Sequence, residues 1–271
     1  MNNDTLRKVQ LLQKDMAYFV KKICEKHNIQ YFLIAGTLLG AVRHKGFIPW
    51  DDDLDIGMLR KDFEKFIEIF DECSNQKYHL QTWDTEENFA LPIAKIRLNN
   101  TLYVEKNSLD LNINQGIYID ILPFDNIPDS IFLQKKQDIK TYILKRLLLI
   151  KLNYTLWEDN ESYKKKVYSV LKIFTNILSV NKLKVTLYKE MVKYNSIDTY
   201  KVVTFGGSYG YQKESICKSY FEEIDYFKFE NIEFTSFSSY EKYLTHLYGD
   251  FTKLPPKEKR YNRHNILKVE F

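Results

Sequence analysis

The sequence predicts an α+β fold of mixed α/β character: a core sheet flanked by helices, with a helical section in the middle of the chain. Three observations carry this. Apolar residues recur at helical spacing over the first 27 positions, short apolar runs bounded by turn residues fill 31–122, and helical spacing returns from about 129 to 196.

Leu6, Val9, Leu12, Met16, Phe19, Val20 and Ile23 fall on one face and predict an amphipathic helix over 4–27. The run 31–35 reads as a short buried strand. Gly36-Thr37 then turns the chain, and 38–42 forms a helical turn. A loop carrying Gly46 and Pro49 leads to a strand over 53–58. Phe63, Phe66, Ile67 and Phe70 mark a helix over about 60–73. Strands are expected at 78–83, 91–98 and 101–106, and the near-continuous apolar run IYIDIL predicts another over 117–122, closed by Pro123 and Pro128.

In the helical stretch, Ile139, Ile143, Leu147 and Ile150 line one face, while Lys135, Lys136, Lys140, Lys145, Arg146 and Lys151 crowd the rest. Mixed structure resumes after the turn Gly206-Gly207-Ser208. Ser238 and Glu241 have the spacing of a capping box for a helix ending at Gly249. A basic tail follows with Lys257, Lys259, Arg260, Arg263 and His264. The expected division is a core over 1–128, a basic helical section over 129–200, and a C-terminal section over 201–271 that completes the site.

The net charge of +4 is too small to argue for nucleic acid, and none is expected as a partner. Cys24, Cys73 and Cys217 are widely spaced and odd in number, which suits a reducing compartment and no disulfide framework. The first twenty residues are charged throughout and lack the pattern of a secretory signal. A cytoplasmic location is therefore expected. The cations flanking the apolar face of 131–151 suit peripheral contact with the inner face of an anionic membrane, or a solvated helix packed on the core.

The chemistry lies in the aspartates Asp51, Asp52, Asp53 and Asp55. Residues two apart in a strand share a face, so Asp53 and Asp55 project together while Leu54 and Ile56 enter the core. Paired carboxylates repel, and oxygen-only ligands suit Mg²⁺, with Mn²⁺ as its substitute; the usual partner of that ion is a phosphate. Asp120, in IYIDIL, is costly in so apolar a strand unless something pairs with it. If its strand neighbours that of Asp53 and Asp55, three carboxylates converge. Glycine at 36 lets a backbone approach a phosphate closely, and the Thr37 hydroxyl can donate to it.

This order of strand, Gly-Thr turn, Asp-x-Asp strand and later strand acid resembles the nucleotidyltransferase fold. Within it, GTLLGAVRHKGFIPWDDDLDIGM (36–58) is similar to the motif of the LicD family of phosphotransferases, which includes fukutin-related protein. Tyr118 to Asp125, YIDILPFD, resembles the family's third-carboxylate strand, and LYGDFTKLPPKEKR (247–260) resembles its C-terminal signature. The resemblance implies a nucleotidyltransferase-like catalytic core. It implies transfer of phosphocholine, or a similar phosphorylated alcohol, from CDP-choline or a CDP-polyol. The acceptor would be a hydroxyl of a glycan or lipid-linked glycan in teichoic acid, capsule or lipopolysaccharide, and CMP would leave. Asp53, Asp55 and Asp120 are the expected catalytic and Mg²⁺-binding residues, with Asp120 also deprotonating or orienting the acceptor. Gly36, Thr37, Arg43, Lys95 and Arg260 are the expected donor-binding residues.

Each assignment has a plainer counterpart. Asp51 and Asp52 either ligate directly or cap the loop and orient Arg43. Lys95 and Arg97 alternate in IAKIRL and share a face, either on phosphate or on the solvent side of a half-buried strand. Trp50 suits packing better than a wall for a quaternary ammonium. Arg260 and His264 either close over the nucleotide or form a solvated charge run. Two other functions use the same residues: a nucleotidyltransferase that leaves the nucleotide on its acceptor, and a non-catalytic glycan- or membrane-binding protein.

Overall fold

The computed structural model describes residues 1–271 except 75, 156–171, 173, 174, 176 and 263. It is an α+β fold, as the sequence predicts. Helix α1 (Asn3–His27) is capped by the Asn2 side chain, which accepts the Thr5 amide at 2.8 Å. Asn28, at φ 52, ends it in the left-handed conformation common at helix C-termini. The apolar stripe buries Val9, Met16 and Val20 in the main core, together with the sheet.

The sheet contains β1 (Phe32–Leu33), β2 (Asp55–Leu59), β3 (Tyr78–Gln81) and β4 (Ala94–Leu98). Strand β5 (Leu102–Glu105) stands outside it, and β6 (Tyr118–Ile127) is its centre. The order is β1-β2-β6-β4-β3, and β7 (Lys201–Val203) with β8 (Ser215–Cys217) joins along β6. Strands β2 and β6 are parallel, with Asp55 opposite Asp120. Strand β4 is antiparallel to β6, with Lys95 opposite Asp120, and β3 places Gln81 opposite Lys95. Register partners on neighbouring strands project from the same face. One row of polar side chains, Asp55, Asp120, Lys95 and Gln81, thus crosses four strands.

Strand β6 runs past its predicted end at 122 and through Pro123, and stops directly before Pro128. It pairs with β4 up to Ile121 and with β7 from Asp125 onward. Pro123 falls in the gap between these partners, where a missing N–H interrupts neither ladder. Helix α2 (Ala35–His44) also differs from the expectation, because Gly36 and Thr37 lie in its first turn and not in a turn ahead of it. Helix α3 (Arg60–Cys73) has its expected bounds and buries Phe63, Phe66 and Phe70.

After β6 the chain forms α4 (Ile131–Lys151), α5 (Val180–Met191), the single turn α6 (Tyr211–Glu214) and the hairpin β9 (Ile224–Phe229) with β10 (Ile232–Phe237), whose phenylalanines join the main core. Helix α7 (Tyr240–Tyr248) ends at Gly249, at φ 71, as expected. Its N-cap is Ser239, which makes no side-chain cap bond, so the capping box of Ser238 and Glu241 is not formed. The tail is not simply a charge run: β11 (Ile266–Glu270) pairs antiparallel with β5. Arg263 lies outside the described residues.

Helix α4 overturns the first half of its predicted face, while Leu147 and Ile150 pack inward as expected. Ile139 and Ile143 are 61% and 50% exposed, and Phe132 is 75% exposed. The buried side carries Gln134, Gln137 and Thr141 before Leu148 and Ile150. These polar residues are buried because the interior supplies partners. Gln137 donates to the Glu190 carbonyl at 2.8 Å and accepts the Tyr211 hydroxyl at 2.8 Å, and Gln134 donates to the Pro128 carbonyl at 2.7 Å. Lys145, expected among the surface cations, is half-buried and donates to the Phe205 carbonyl at 2.8 Å. Among the described residues no helix is long and apolar enough to cross a membrane.

Candidate active site

The acidic segment is held from behind by helix α1. Gln10 donates to the Asp51 carbonyl at 2.8 Å, and Gln13 donates to the carbonyls of Asp52 and Tyr118 at 2.9 and 3.0 Å. Both glutamines are buried on the helix's apolar face, so the extended chain before β2 has its backbone acceptors satisfied away from water. Leu54 and Ile56 are fully buried as expected, each worth about 2 kcal/mol. Only Asp55 belongs to the strand, however, and Asp53 sits in the extended approach to it.

The carboxylates of Asp51, Asp52 and Asp53 each offer an oxygen within 4.8 Å of the others. Burial pushes Asp51, Asp53 and Asp55 up from the ordinary carboxylate range. Like-charge neighbours push the same way: Asp53 and Asp52 on Asp51, Asp52 and Asp120 on Asp53, and Asp53, Asp120 and Asp51 on Asp55. Half-buried acids pushed up by their neighbours in this manner are short of positive charge.

Two cations reach it from the protein. Lys95 donates to Asp120 Oδ2 at 3.2 Å; it lies 2.8 Å from Oδ1 but without hydrogen-bond geometry, so Oδ1 is buried with charge beside it and no directed bond. His264 bonds through Nδ1 to Asp52 Oδ1 at 2.9 Å, and its Nε2 lies 3.6 Å from Asp53 Oδ2. Burial alone would lower the His264 pKa, but the Asp52 hydrogen bond and the charges of Asp53 and Asp52 override it and push it up to about 10. Asp52, 1% exposed, also accepts the Tyr103 hydroxyl at 3.1 Å. It is thus a buried anchor for the C-terminal segment.

The other predicted site residues divide. Gly36 lines the cleft, yet the space its missing side chain leaves is filled by Asp51: a Cβ there would lie 2.7 Å from Asp51 Oδ2. Thr37 is buried and is not among the cleft-lining residues described. Its hydroxyl oxygen accepts the Asp55 amide at 2.8 Å, which makes it a strut for the acid and not the expected phosphate donor. Arg43 does line the cleft, but Nη1 donates to the carbonyls of Phe251 and Lys253 at 2.9 and 3.0 Å, tying the 36–58 motif to the 247–260 segment. Lys95 faces the cleft. Arg97, on the same strand, is equally buried and is consumed by Gln81 and the Gly116 carbonyl at 2.9 and 2.8 Å. Neither is on a solvent face, because β4 is covered on both sides. Arg260 is not among the described lining residues. It donates to the Pro255 carbonyl at 2.8 Å and lies 5.6 Å from the Trp50 ring, so Trp50 packs against a cation of the chain itself.

The sequence offers His264 only as a group closing over the nucleotide or as part of a charge run; its pairing with Asp52, and the anchoring role this gives Asp52, are not read from it. The available signal is the apolar run ILKVEF that closes the chain, which can serve as a strand and fix the residues just before it. The acids, Gly36, Arg43, Lys95 and His264 line one cleft of about 840 Å³, within the range of small-molecule sites, whose lining also includes residues of 206–214 and α7.

A family model described as "LicD/FKTN/FKRP, nucleotidyltransferase domain" matches residues 28–152. The lipopolysaccharide cholinephosphotransferase LicD of Haemophilus influenzae is 30% identical over 269 residues, which cover 97% of this chain and 97% of its own length. The chain belongs to the LicD family. It is an enzyme, a phosphotransferase of the LicD type. The ribitol 5-phosphate transferase FKRP of Homo sapiens is 41% identical over 49 residues, 18% of this chain and 10% of its own length. An uncharacterized protein of Rickettsia prowazekii is 35% identical over 125 residues, 46% of this chain and 42% of its own length.

Proposed function

We propose that this LicD-family enzyme transfers phosphocholine from CDP-choline to a hydroxyl of a cell-surface glycan of the lipopolysaccharide kind, releasing CMP, with Mg²⁺ bound by Asp53, Asp55 and Asp120. The observation that carries the reading is the register of Asp55 against Asp120 beside Asp51 and Asp53, a half-buried carboxylate group deficient in positive charge at one pole of the cleft. The near full-length similarity to a cholinephosphotransferase supports the transferred group.

The donor set fits a hard divalent cation. It is all oxygen, burial and the charge of Asp120 push Asp53 and Asp55 up, and Asp120 Oδ1 is a buried acceptor without a directed hydrogen bond. When bound, Mg²⁺ would offset negative charge on the transferring phosphoryl group and on the departing CMP. The chain's own groups do the rest. Thr37 and the α1 glutamines fix the backbone of the acids, so that little reorganisation accompanies reaction. Lys95 balances Asp120, which we assign to orient the acceptor hydroxyl. Arg43 holds the 250–253 loop against the cleft.

The test is product identity. Offered CDP-choline and a lipopolysaccharide acceptor, the protein should release free CMP, lose that activity in EDTA and regain it with Mg²⁺ or Mn²⁺. Release of pyrophosphate from CTP, with the nucleotide retained on the acceptor, would replace the proposal with nucleotidyl transfer.

A further inference from the structure

The cleft has a second pole that the phosphate chemistry does not use. It is formed by 206–214 and by α7. Glycine at 207 lets the Glu214 carboxylate fold over the backbone, since a Cβ there would lie 2.0 Å from Glu214 Oε1. Glu214 is 8% exposed, and Oε1 accepts the Tyr209 amide at 3.0 Å. Among the described residues no lysine, arginine or histidine forms an ion pair with it. Lys145, whose charge acts on it from α4, spends its hydrogen bond on the Phe205 carbonyl. Burial accordingly pushes the Glu214 carboxyl up to about 7, against the Tyr209 amide and Lys145. This is a buried acid on the wall of a cleft without a cation of its own.

Aromatic rings stand beside it. Tyr209 and Tyr248 both line the cleft and meet edge to face, with centroids 5.7 Å apart at 88° and hydroxyls 3.2 Å apart. Lys213 lies 5.8 Å from the Tyr209 centroid and is tethered to the Leu247 carbonyl at 3.1 Å, so that ring already attracts a cation. Tyr243 joins the two poles. Its hydroxyl accepts the Ala35 amide at 3.0 Å next to Gly36, and burial together with the charges of Glu214 and Asp55 pushes its pKa up and keeps it neutral.

We infer that Glu214, Tyr209 and Tyr248 form a subsite for the quaternary ammonium end of the transferred group, while its phosphate lies at the acid pole. The inference rests on the cholinephosphotransferase reading and adds the residues that would recognise the alcohol. A trimethylammonium has no N–H and needs charge and ring faces in place of hydrogen-bond acceptors. This pole offers those: one carboxylate and two tyrosines whose hydroxyls already face each other. A polyol such as ribitol or glycerol would need several free donors and acceptors in the same place.

The test is calorimetric titration of the full-length protein with CDP-choline, CDP-glycerol and CMP. Glu214→Gln keeps an oxygen for the Tyr209 amide and removes the charge. Tyr248→Leu removes the ring and Tyr248→Phe restores it. Glu214→Gln and Tyr248→Leu should each weaken CDP-choline about tenfold and leave CDP-glycerol and CMP unchanged, with Tyr248→Phe near wild type. If wild type prefers CDP-choline and both variants keep that preference, or weaken all three ligands alike, the subsite is wrong and the transferase reading stands. If wild type prefers CDP-glycerol, the choline reading itself falls, and the subsite with it.

Discussion

Segment 51–59 and helix α4 both mix charged with apolar residues, and the fold uses the two mixtures in opposite ways. In 51–59 the apolar residues Leu54, Ile56 and Met58 are fully buried, and the acids are gathered at one pole of a cleft. In α4 the apolar Phe132, Ile139 and Ile143 face outward while Gln134, Gln137 and Thr141 are buried. The difference lies in what each meets. Strand β2 is fixed by parallel pairing with β6, and a one-residue slip would turn Asp55 into the core. A helix has no such ladder to a neighbour, so its orientation follows whichever partners the interior provides. Here those partners are carbonyls and a tyrosine hydroxyl.

The largest effect that would break this contrast is at the acid pole. Asp55→Asn should lower turnover at least about a hundredfold, the usual scale for removing one electrostatic contributor to a transition state. Stability should not fall, because burial and the charges of Asp53, Asp120 and Asp51 all raise the Asp55 pKa, and the amide removes that repulsion. Turnover of CDP-choline with Mg²⁺, beside a thermal melt, reads both. Near-normal turnover would show that the acids are a structural cluster and not a metal site.

That prediction rests on features legible in the sequence, and their limits are physical. The period-two alternation around Asp53 and Asp55, with one acid in IYIDIL, is enough to bring Asp55 and Asp120 together once their strands are neighbours. The FIPWD lead-in identifies the family. What the sequence does not carry is the competition for each polar group. Thr37, Arg43, Arg97 and Arg260 all have side chains able to bind phosphate, but each finds a carbonyl, an amide or a side chain of the protein first. Asp52 and His264 are separated by 212 positions, and only the pairing of β11 with β5 brings them within 2.9 Å. Long-range partners of this kind leave no local period to read.

On the helical side, the next largest effect is at Gln137. Gln137→Leu keeps the volume similar but strands the Tyr211 hydroxyl and the Glu190 carbonyl, which the glutamine satisfies at 2.8 Å each. Leaving a buried polar group unpaired costs roughly 1–3 kcal/mol, so urea denaturation should show a loss of about 2 kcal/mol. An unchanged or raised midpoint would mean that the polar side of α4 is not its packed side.

The smallest expected effect lies on the opposite face of the same helix, and it separates the two readings of α4 most cleanly. Were Ile139 and Ile143 the packed side, as helical spacing alone predicts, Ile139→Ser with Ile143→Ser would remove two core side chains at roughly 2–5 kcal/mol each. With the pair 61% and 50% exposed, the change should stay within about 0.5 kcal/mol per site, and it lowers surface hydrophobicity without removing a contact the core depends on. The same variant bears on the membrane reading, because these isoleucines and Phe132 are among the apolar side chains that α4 exposes beside Lys135, Lys136 and Lys140. Stability unchanged, together with weaker flotation on anionic vesicles, would assign the exposed face to a lipid surface. Stability unchanged and no flotation by the wild type would leave it as a solvated helix whose charges keep it in water.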